Sequence, residues 1–315
     1  MARGISLHIG VDKVDPAGYP LEPWYQGWHQ VVLSDKYNPV RFDCDFQIGW
    51  EGPLQSCEID AQDMYKIASS QKFQASMLKT ENATTKNVTK KIQSAARRLK
   101  DGDIFFLSYA GHGAQVEDLT GDEDDGSDET WCLYDRMLLD DEMQRLYTEF
   151  AKGVRILVVA DSCHSGSATR AGARPEVDRK KTGIREVPTR TAQAIYEGNK
   201  KMYDQIQMSL KKRRRPKASR ILISACQDHQ LAGGGAKNGQ FTAALKEAWQ
   251  NGKFNGDYAK LSTLINDSLK RSYNAEVQRA AGRWVANEQH PNFVRVQGAS
   301  KKAMDEFIKQ RPFTI

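Results

Sequence analysis

Two short segments of the sequence each place a reactive side chain directly after a predicted strand. His112 lies in SYAGHGAQ, between Gly111 and Gly113, and Cys163 lies in VVADSCHSGSA. Because the carboxyl ends of parallel strands open onto one crevice, we expect the two side chains to meet there. A cysteine attacks as its thiolate, and a neighbouring imidazole lowers the thiol pKa and can protonate a leaving amine. The pair predicts the chemistry of a cysteine hydrolase.

The residues around the pair support this interpretation. Glycines beside His112 permit close approach of a substrate, and we expect the backbone amides of Gly113 and Cys163 to form an oxyanion hole. Each residue alone has a simpler explanation, an inert buried cysteine or a structural histidine in a glycine turn. Their joint placement at strand ends, flanked by small residues, favours the catalytic dyad.

The elements that must position this pair alternate along the chain. Nearly continuous apolar runs, typical of strands covered on both faces, occur at 5–11, 103–110, 154–161 and 220–227, with a last strand at 293–298. Helical patterns occupy 60–71, 86–100, 141–152, 191–213, 240–251 and 258–281. Thr84 and Thr85 are cap candidates, and Gly102 and Gly153 are the expected helix ends. This order predicts an α/β fold with a mostly parallel sheet covered by helices on both faces.

Composition limits the class of protein. The 315 residues are 39% hydrophobic and 27% charged, with a mean hydropathy of -0.65, as in ordinary globular proteins. No run approaches the roughly 18 apolar residues that span a membrane, and the first residues read as a strand, not as a secretory signal. Five scattered cysteines indicate neither a disulfide framework nor a zinc site, so we expect a reducing cytoplasm and no membrane.

The net charge of +6 comes largely from one region. Basic residues concentrate in 167–190, which also carries two prolines, and in KKRRRPK at 211–217. We expect 167–190 to be a long surface connection. Nucleic-acid-binding patches are usually spread over a folded face with aromatic residues between the charges, so specific nucleic-acid binding is the less favoured interpretation and a solvated charge run the simpler one.

GHG and DSCHSGS resemble the histidine and cysteine motifs of metacaspases and their prokaryotic caspase-like relatives. His112 precedes Cys163 by 51 residues, and a spacing of about 50 is a known caspase feature. Further similar segments are GISLHIGVD, CEIDAQDM, SACQDHQ, FTAALKEAW and EQHPNF. The resemblance implies a caspase-like three-layer sandwich and a cysteine endopeptidase. One catalytic domain, 1–315, would comprise a large part (1–166), a basic connection (167–217) and a small part (218–315).

The acids near these motifs predict the substrate. Strand alternation points Asp161 to the same side as Cys163. Asp60, with Cys57, resembles the metacaspase C-x-x-D-A turn, where the second acid of the S1 pocket lies, although Asp60 could instead cap a helix. Two carboxylates in one pocket repel unless a cation lies between them, which favours protein or peptide substrates with arginine or lysine at P1. Asp228 is a further candidate from the small part.

The basic connection contains residues that such a pocket would accept. Caspase-like zymogens are cut in this region, so self-cleavage is a natural hypothesis, and nothing in the sequence chooses among Arg174, Arg179, Lys181, Arg185, Arg190, Arg213, Arg214 and Arg215. An uncut regulatory loop is the alternative. By resemblance, the protein would be a defence or death-pathway effector released by a regulatory partner. A catalytically silent scaffold is a rival, disfavoured because both dyad residues and both pocket acids are present.

Acidic segments at 121–131 and 138–143 resemble those with which metacaspases bind calcium. Asp128, Asp140 and Asp141 are the implied ligands, and oxygen ligands suit a hard cation. Arg170 stands where the family pattern has an acidic ligand, which weakens this expectation. The alternative is a solvated acidic loop that also favours the start of the next helix. No cofactor is required for the predicted peptide-bond chemistry.

Overall fold

A computed structural model describes most of the chain, including the region around His112. The described residues are 2–21, 49–121, 126–162, 183–210, 215–225, 237–280, 291–296, 298 and 300–315. Several residues singled out above lie outside this part of the chain: Cys163, Arg170, Arg174, Arg179, Lys181, Arg213, Arg214 and Asp228.

The central element is a sheet of six described strands in the order β2-β1-β3-β7-β8-β9. These strands are β1 (Gly4–Gly10), β2 (Gln74–Lys79), β3 (Ile104–Ala110), β7 (Arg155–Asp161), β8 (Ser219–Ser224) and β9 (Asn292–Val296). All neighbours are parallel except β8 and β9. Strand β3 is buried along its whole length, as expected of a strand with helices on both faces.

Helices cover both faces of this sheet. They are α1 (Cys57–Ser70), α2 (Thr85–Arg98), α3 (Asp140–Tyr147), α4 (Thr189–Gly198), α5 (Lys200–Leu210), α6 (Gln240–Trp249), α7 (Tyr258–Ala280) and α8 (Lys301–Ile308). On β3, Phe105 and Leu107 belong to one core with α2 to α5, whereas Ile104 and Phe106 belong to a second core with α1 and α6 to α8. This alternation follows from the two-residue period of a strand and confirms the predicted three-layer α/β sandwich.

A smaller antiparallel sheet follows β3 directly. Its strands are β4 (Gly113–Glu117), β5 (Ser127–Cys132) and β6 (Met137–Leu139), in the order β4-β5-β6. The prediction missed this sheet and treated its acidic residues as loop. It also missed β2, whose exposed positions mark it as an edge strand, and α8 near the C-terminus.

Several predicted helix boundaries were wrong for local reasons. Helix α1 begins at Cys57, not at Asp60, so Asp60 is not its cap. Helix α2 is capped by Thr84, as predicted, but it ends before Gly102. Helix α3 ends at Tyr147, not near Gly153. At Gln250 the backbone turns left-handed (φ 52°), which ends α6 earlier than expected.

The helix predicted over 191–213 is divided into α4 and α5 at Asn199. The adjoining Gly198 packs against Pro20, and a Cβ at Gly198 would lie 2.9 Å from the proline ring. This close approach, which is not visible in the sequence, accompanies the break between the two helices.

Candidate active site

His112 lies in the turn between β3 and β4, and Tyr109 holds that turn in place. The Tyr109 hydroxyl lies 2.7 Å from the carbonyl oxygen of His112 and 3.0 Å from that of Cys132. The Cys132 amide also donates to the His112 carbonyl at 3.0 Å. A Cβ added at position 111 would lie 2.4 Å from the Tyr109 hydroxyl, so only glycine fits there without displacing this tyrosine. The His112 backbone is therefore fixed from two strands.

The imidazole of His112 is oriented by a backbone carbonyl. Its Nε2 lies 2.9 Å from the oxygen of Gly52, and the ring packs on Trp50 with centroids 4.9 Å apart. A carbonyl can only accept a hydrogen bond, so Nε2 carries the proton and Nδ1 is the basic nitrogen of the neutral ring. Sequence reasoning found no orienting residue for His112, because a backbone carbonyl has no side-chain signature.

Strand β7 ends at Asp161, two residues before the predicted nucleophile Cys163, which lies outside the described residues. Ala110 at the end of β3 pairs with Asp161 at the end of β7, and the Gly111 amide lies 3.4 Å from the Asp161 carbonyl. The segments that carry the GHG and DSC motifs therefore leave the sheet side by side, as predicted from the order of the elements.

Part of the basic connection is buried, which corrects the expectation of a surface segment for all of 167–190. Ile184, Arg185, Glu186 and Val187 are all buried, and Arg185 has no exposed surface at all. A fully buried arginine is rare unless acids surround it. This segment therefore has a specific binding site within the fold.

The predicted pocket acids supply that site. The Arg185 guanidinium pairs with Asp60 through Nη2 and with Asp161 through Nη1, the latter at 2.9 Å. Nη1 also donates to the Asp161 backbone carbonyl at 2.9 Å, and Nη2 to the Ser56 hydroxyl at 3.0 Å. Asp60 on α1 and Asp161 on β7 thus hold the two ends of one planar guanidinium, a geometry that suits arginine.

The backbone of the same segment contacts the turn of His112. The Gly113 amide donates to the Arg185 carbonyl oxygen at 3.0 Å, and the Val187 amide donates to the Gly113 carbonyl at 2.9 Å. Gly113 and Glu186 form an isolated parallel bridge. An arginine side chain thus lies between two acids while its own carbonyl oxygen is bound by the amide predicted for the oxyanion hole.

The acids are held by the loop and helix that follow β8. The Gly239 amide lies 3.1 Å from each Asp60 carboxylate oxygen, and the Asn238 side chain donates to Asp60 at 2.9 Å. Thr242 on α6 donates to Asp161 from its hydroxyl at 2.7 Å and from its amide at 3.2 Å. Sequence reasoning assigned no pocket role to these residues, although Thr242 lies in the family-like segment FTAALKEAW.

Burial sets the ionisation in this cluster. It raises the pKa of Asp60 to about 6, against the opposing effect of the Arg185 guanidinium and with a further rise from Asp161. Although burial opposes its charge, the pKa of Arg185 is raised by the nearby acids, Asp161 first. Burial also raises the pKa of the Cys57 thiol well above its usual value. The Cys57 thiol is therefore kept neutral beside this cluster.

The other described cleavage candidates lie elsewhere. Arg190 is exposed in the first turn of α4, and Arg215 is exposed beyond α5. Of the candidates that the structure describes, Arg185 is the residue placed between Asp60 and Asp161.

The three acids predicted for calcium also lie together. Carboxylate oxygens of Asp128, Asp140 and Asp141 are all within 4.8 Å of one another. Asp128 belongs to β5 and not to a loop, and the other two begin α3, close to the helix start predicted at residue 141. Asp128 and Asp141 are buried. Three clustered carboxylates, two of them buried, fit a hard cation with oxygen ligands.

None of the described helices is both long enough and apolar enough to cross a lipid bilayer.

The fold and the site together define a hydrolase with a caspase-like α/β sandwich fold, in which a histidine lies beside an acidic pocket that is filled by an arginine. The family model for the caspase domain matches residues 38–301. Metacaspase-1 of Cryptococcus neoformans is 27% identical over 87% of this chain and 68% of its own length. Other fungal metacaspases match over 20–47% of their lengths.

Solved structures agree with this assignment. A crystal structure of a protein from Geobacter sulfurreducens is 38% identical, covers 99% of both chains and superposes with a TM-score of 0.75. Caspase-1 from Spodoptera frugiperda shares the fold at 12% identity, with a TM-score of 0.50 over 93% of this chain and 86% of its own. The chain therefore belongs to the caspase domain family. It is a cysteine-type endopeptidase by family, which means that its substrates are proteins or peptides.

Proposed function

We propose that this endopeptidase cleaves after arginine, less readily after lysine, and that it processes itself at the Arg185–Glu186 bond. The observation that carries the proposal is the position of Arg185, whose side chain fills the acidic pocket while its carbonyl oxygen accepts from the Gly113 amide. These are the two contacts that a P1 residue needs. Arg190 and Arg215 are exposed and lack them.

The proposed reaction uses the His112/Cys163 dyad. The Cys163 thiolate attacks the carbonyl carbon of the P1 residue, and the amides of Gly113 and Cys163 bind the oxygen as it becomes negative. His112 then protonates the leaving nitrogen as the C–N bond breaks. Water, deprotonated by His112, attacks the acyl-enzyme and releases the carboxylate and the thiol. The Gly52 carbonyl keeps the His112 proton on Nε2, so Nδ1 is the nitrogen that exchanges protons with the reacting groups.

The pocket contacts support a preference for arginine over lysine. Asp60 and Asp161 pair with different nitrogens of the Arg185 guanidinium, and Ser56 binds one of these nitrogens as well. A lysine presents one nitrogen where the guanidinium presents two outer ones, so it cannot meet both acids in the same way. Aspartate at P1 would meet two carboxylates and be rejected.

The same contacts support the proposal that the uncleaved chain is a zymogen, an inactive precursor. While residues 184–187 lie against Gly113, no external peptide can take that place, and the buried ion pairs hold the segment in its site. We therefore propose that activation consists of cleavage or release of this segment. A regulatory partner that triggers release, and a role as a defence or death-pathway effector, are consistent with such a latent form.

We also propose that Asp128, Asp140 and Asp141 would hold Ca²⁺. The bound ion would supply positive charge between three clustered carboxylates and so stabilise the start of α3 against β5. It would not take part in bond cleavage.

Two rival functions remain distinguishable by experiment. A silent scaffold would keep the fold without cleaving any peptide. A nucleic-acid-associated protein would rely on the basic residues at 211–217, of which 211–214 lie outside the described part of the chain, and salt-sensitive DNA binding that is lost when these residues are neutralised would support it.

The test combines intact mass with peptide cleavage. Wild type, Cys163→Ala, Arg185→Ala and the control Arg190→Ala are incubated with and without Ca²⁺, and fluorogenic peptides ending in Arg, Lys or Asp are offered to each. We expect masses corresponding to a cut after Arg185 in wild type and Arg190→Ala, no such cut in the other two, and cleavage rates in the order Arg, Lys, Asp. Absence of any cleavage under all conditions would contradict the protease proposal, and faster cleavage of Asp peptides would contradict the specificity.

A further inference from the structure

The acidic pocket has a third wall, which is formed by Gly239 at the start of α6. A Cβ built at this position would lie 2.5 Å from Oδ2 of Asp161, 2.7 Å from Nη2 of Arg185 and 2.8 Å from its Cζ. Real Cβ atoms essentially never approach other heavy atoms this closely. The space that any side chain would need at position 239 is therefore the space that the guanidinium occupies.

The backbone itself does not require glycine here. Gly239 has φ −57° and ψ 148°, a backbone conformation that all residue types adopt freely. Glycine is thus needed only for the room that it leaves beside Arg185 and Asp161. This distinguishes Gly239 from Gly52, whose φ is positive.

The turn cannot simply move back to make room for a side chain. The Gly239 amide is bound to both oxygens of Asp60, and Thr242, one turn further on, is bound to Asp161. The segment that lines the pocket is therefore fastened to the same two acids that bind the guanidinium. A side chain at position 239 must displace the guanidinium, the acids or both.

We propose that Gly239 is a specificity-determining residue of the S1 pocket, because it leaves the space for the outer guanidinium nitrogen of an arginine. The inference rests on the proposed function. It assigns part of the pocket to the segment after β8, in addition to α1 and β7. After a cut at Arg185, the two products must therefore stay associated for the pocket to remain complete.

The chemistry of the two basic side chains gives the expected selectivity. The Nζ of lysine corresponds along the side chain to the Cζ of arginine, which the added Cβ would approach to 2.8 Å, and lysine has no atom that corresponds to Nη2, at 2.7 Å. Lysine thus presents one atom to the added methyl group where arginine presents two, and its single terminal nitrogen can shift away, whereas the guanidinium is held by both Asp60 and Asp161. An alanine at 239 should therefore reduce arginine binding more than lysine binding.

The first experiment compares Gly239→Ala with the control Gln240→Ala. Gln240 is the next residue in the first turn of α6, and its side chain contacts Glu276, not the pocket. With Arg and Lys peptides, we expect Gly239→Ala to lower kcat/KM for Arg at least tenfold and to lower the Arg-to-Lys ratio at least fivefold, with Gln240→Ala within twofold of wild type. An unchanged ratio in Gly239→Ala would overturn the proposal.

A second experiment does not depend on catalysis. In the Cys163→Ala background, hydrogen exchange of the peptide that contains Val187 reports whether the segment remains in its site, since the Val187 amide donates to Gly113. We expect exchange at least tenfold faster with Gly239→Ala than with Gln240→Ala. Equal exchange would overturn the role of Gly239. Wild type that cleaves neither peptide, together with this faster exchange, would refute the protease proposal but leave Gly239 as the residue that admits the arginine.

Discussion

Removal of the Arg185 side chain tests the charge arrangement of the pocket directly. The variant is Arg185→Ala in the Cys163→Ala background, where the proposed self-cleavage cannot change the chain. It leaves Asp60 and Asp161 facing each other without the cation that pairs with both. The two carboxylates are 1% and 2% exposed, so water cannot replace the lost partner without a change in structure.

The size of the effect follows from this burial. Removing one partner of a buried ion pair typically costs about 3–5 kcal/mol, because the remaining charge stays desolvated. Here the surviving charges are two acids that also repel each other. We therefore expect the free energy of unfolding to fall by about 3–5 kcal/mol at pH 7. The loss should shrink near pH 5, since the pKa of Asp60 is raised to about 6 and the neutral carboxyl does not need a cation.

Urea unfolding measures this loss, with Arg190→Ala in the same background as the matched control. Arg190 is exposed on α4, and surface substitutions usually change stability by less than about 0.5 kcal/mol. Agmatine, which carries a guanidinium on an alkyl chain, should raise the Tm of the Arg185→Ala variant more than that of its parent. A loss no larger than that of the control, with no effect of agmatine, would refute the reasoning.

Three further predictions concern the groups around this site. Because folding raises the pKa of the Asp60 carboxyl to about 6, protonation of this group stabilises the folded state fully below about pH 4, and this stabilisation is lost as pH rises through 6. The free energy of unfolding of Asp60→Asn should therefore rise relative to that of wild type by up to about 3 kcal/mol between pH 4 and 7. A difference between the two proteins that does not vary with pH in urea unfolding would contradict this. Tyr109→Phe removes the hydroxyl that binds the His112 and Cys132 carbonyls, so it should cost about 1–2 kcal/mol of stability and lower kcat, and an unchanged kcat would show that the turn does not need it. Ca²⁺ should raise the Tm of the Cys163→Ala protein and have no effect after Asp128→Asn, whereas equal shifts in both proteins would place the ion elsewhere.

The sequence was sufficient to predict the layered α/β fold and the positions of its inner strands. Runs such as DIFFLSYA and VRILVVAD are apolar on both faces, and this pattern is local and survives in a single sequence. The order of strands and helices was also enough to predict that the ends of β3 and β7 lie together. Edge strand β2, the small sheet β4-β5-β6 and several helix ends were missed or misplaced, because their patterns are short and their limits depend on packing.

The acidic pocket, like the fold, was predicted from the sequence only in part. Asp161 was recognisable in the sequence because it lies two residues before the predicted nucleophile, and Asp60 because it lies in a C-x-x-D-A turn; the need for a cation between them followed from electrostatics. Which cation fills the pocket could not be predicted, since eight basic residues of the connection were equally suited. Only the tertiary structure places Arg185 there, because the choice depends on where residues 184–187 pack and on which carbonyl faces Gly113.

The orienting contacts are likewise a product of the tertiary structure. The Gly52 carbonyl, the Gly239 amide and the Thr242 hydroxyl lie 60, 179 and 81 residues along the chain from the groups that they bind. Backbone groups are the same at every residue, so their roles leave no mark in the amino-acid types. The sequence by itself thus determined the layered fold and indicated which residues could react and which charge they would attract, whereas long-range packing decided which arginine lies in the pocket and which backbone atoms hold the site in place.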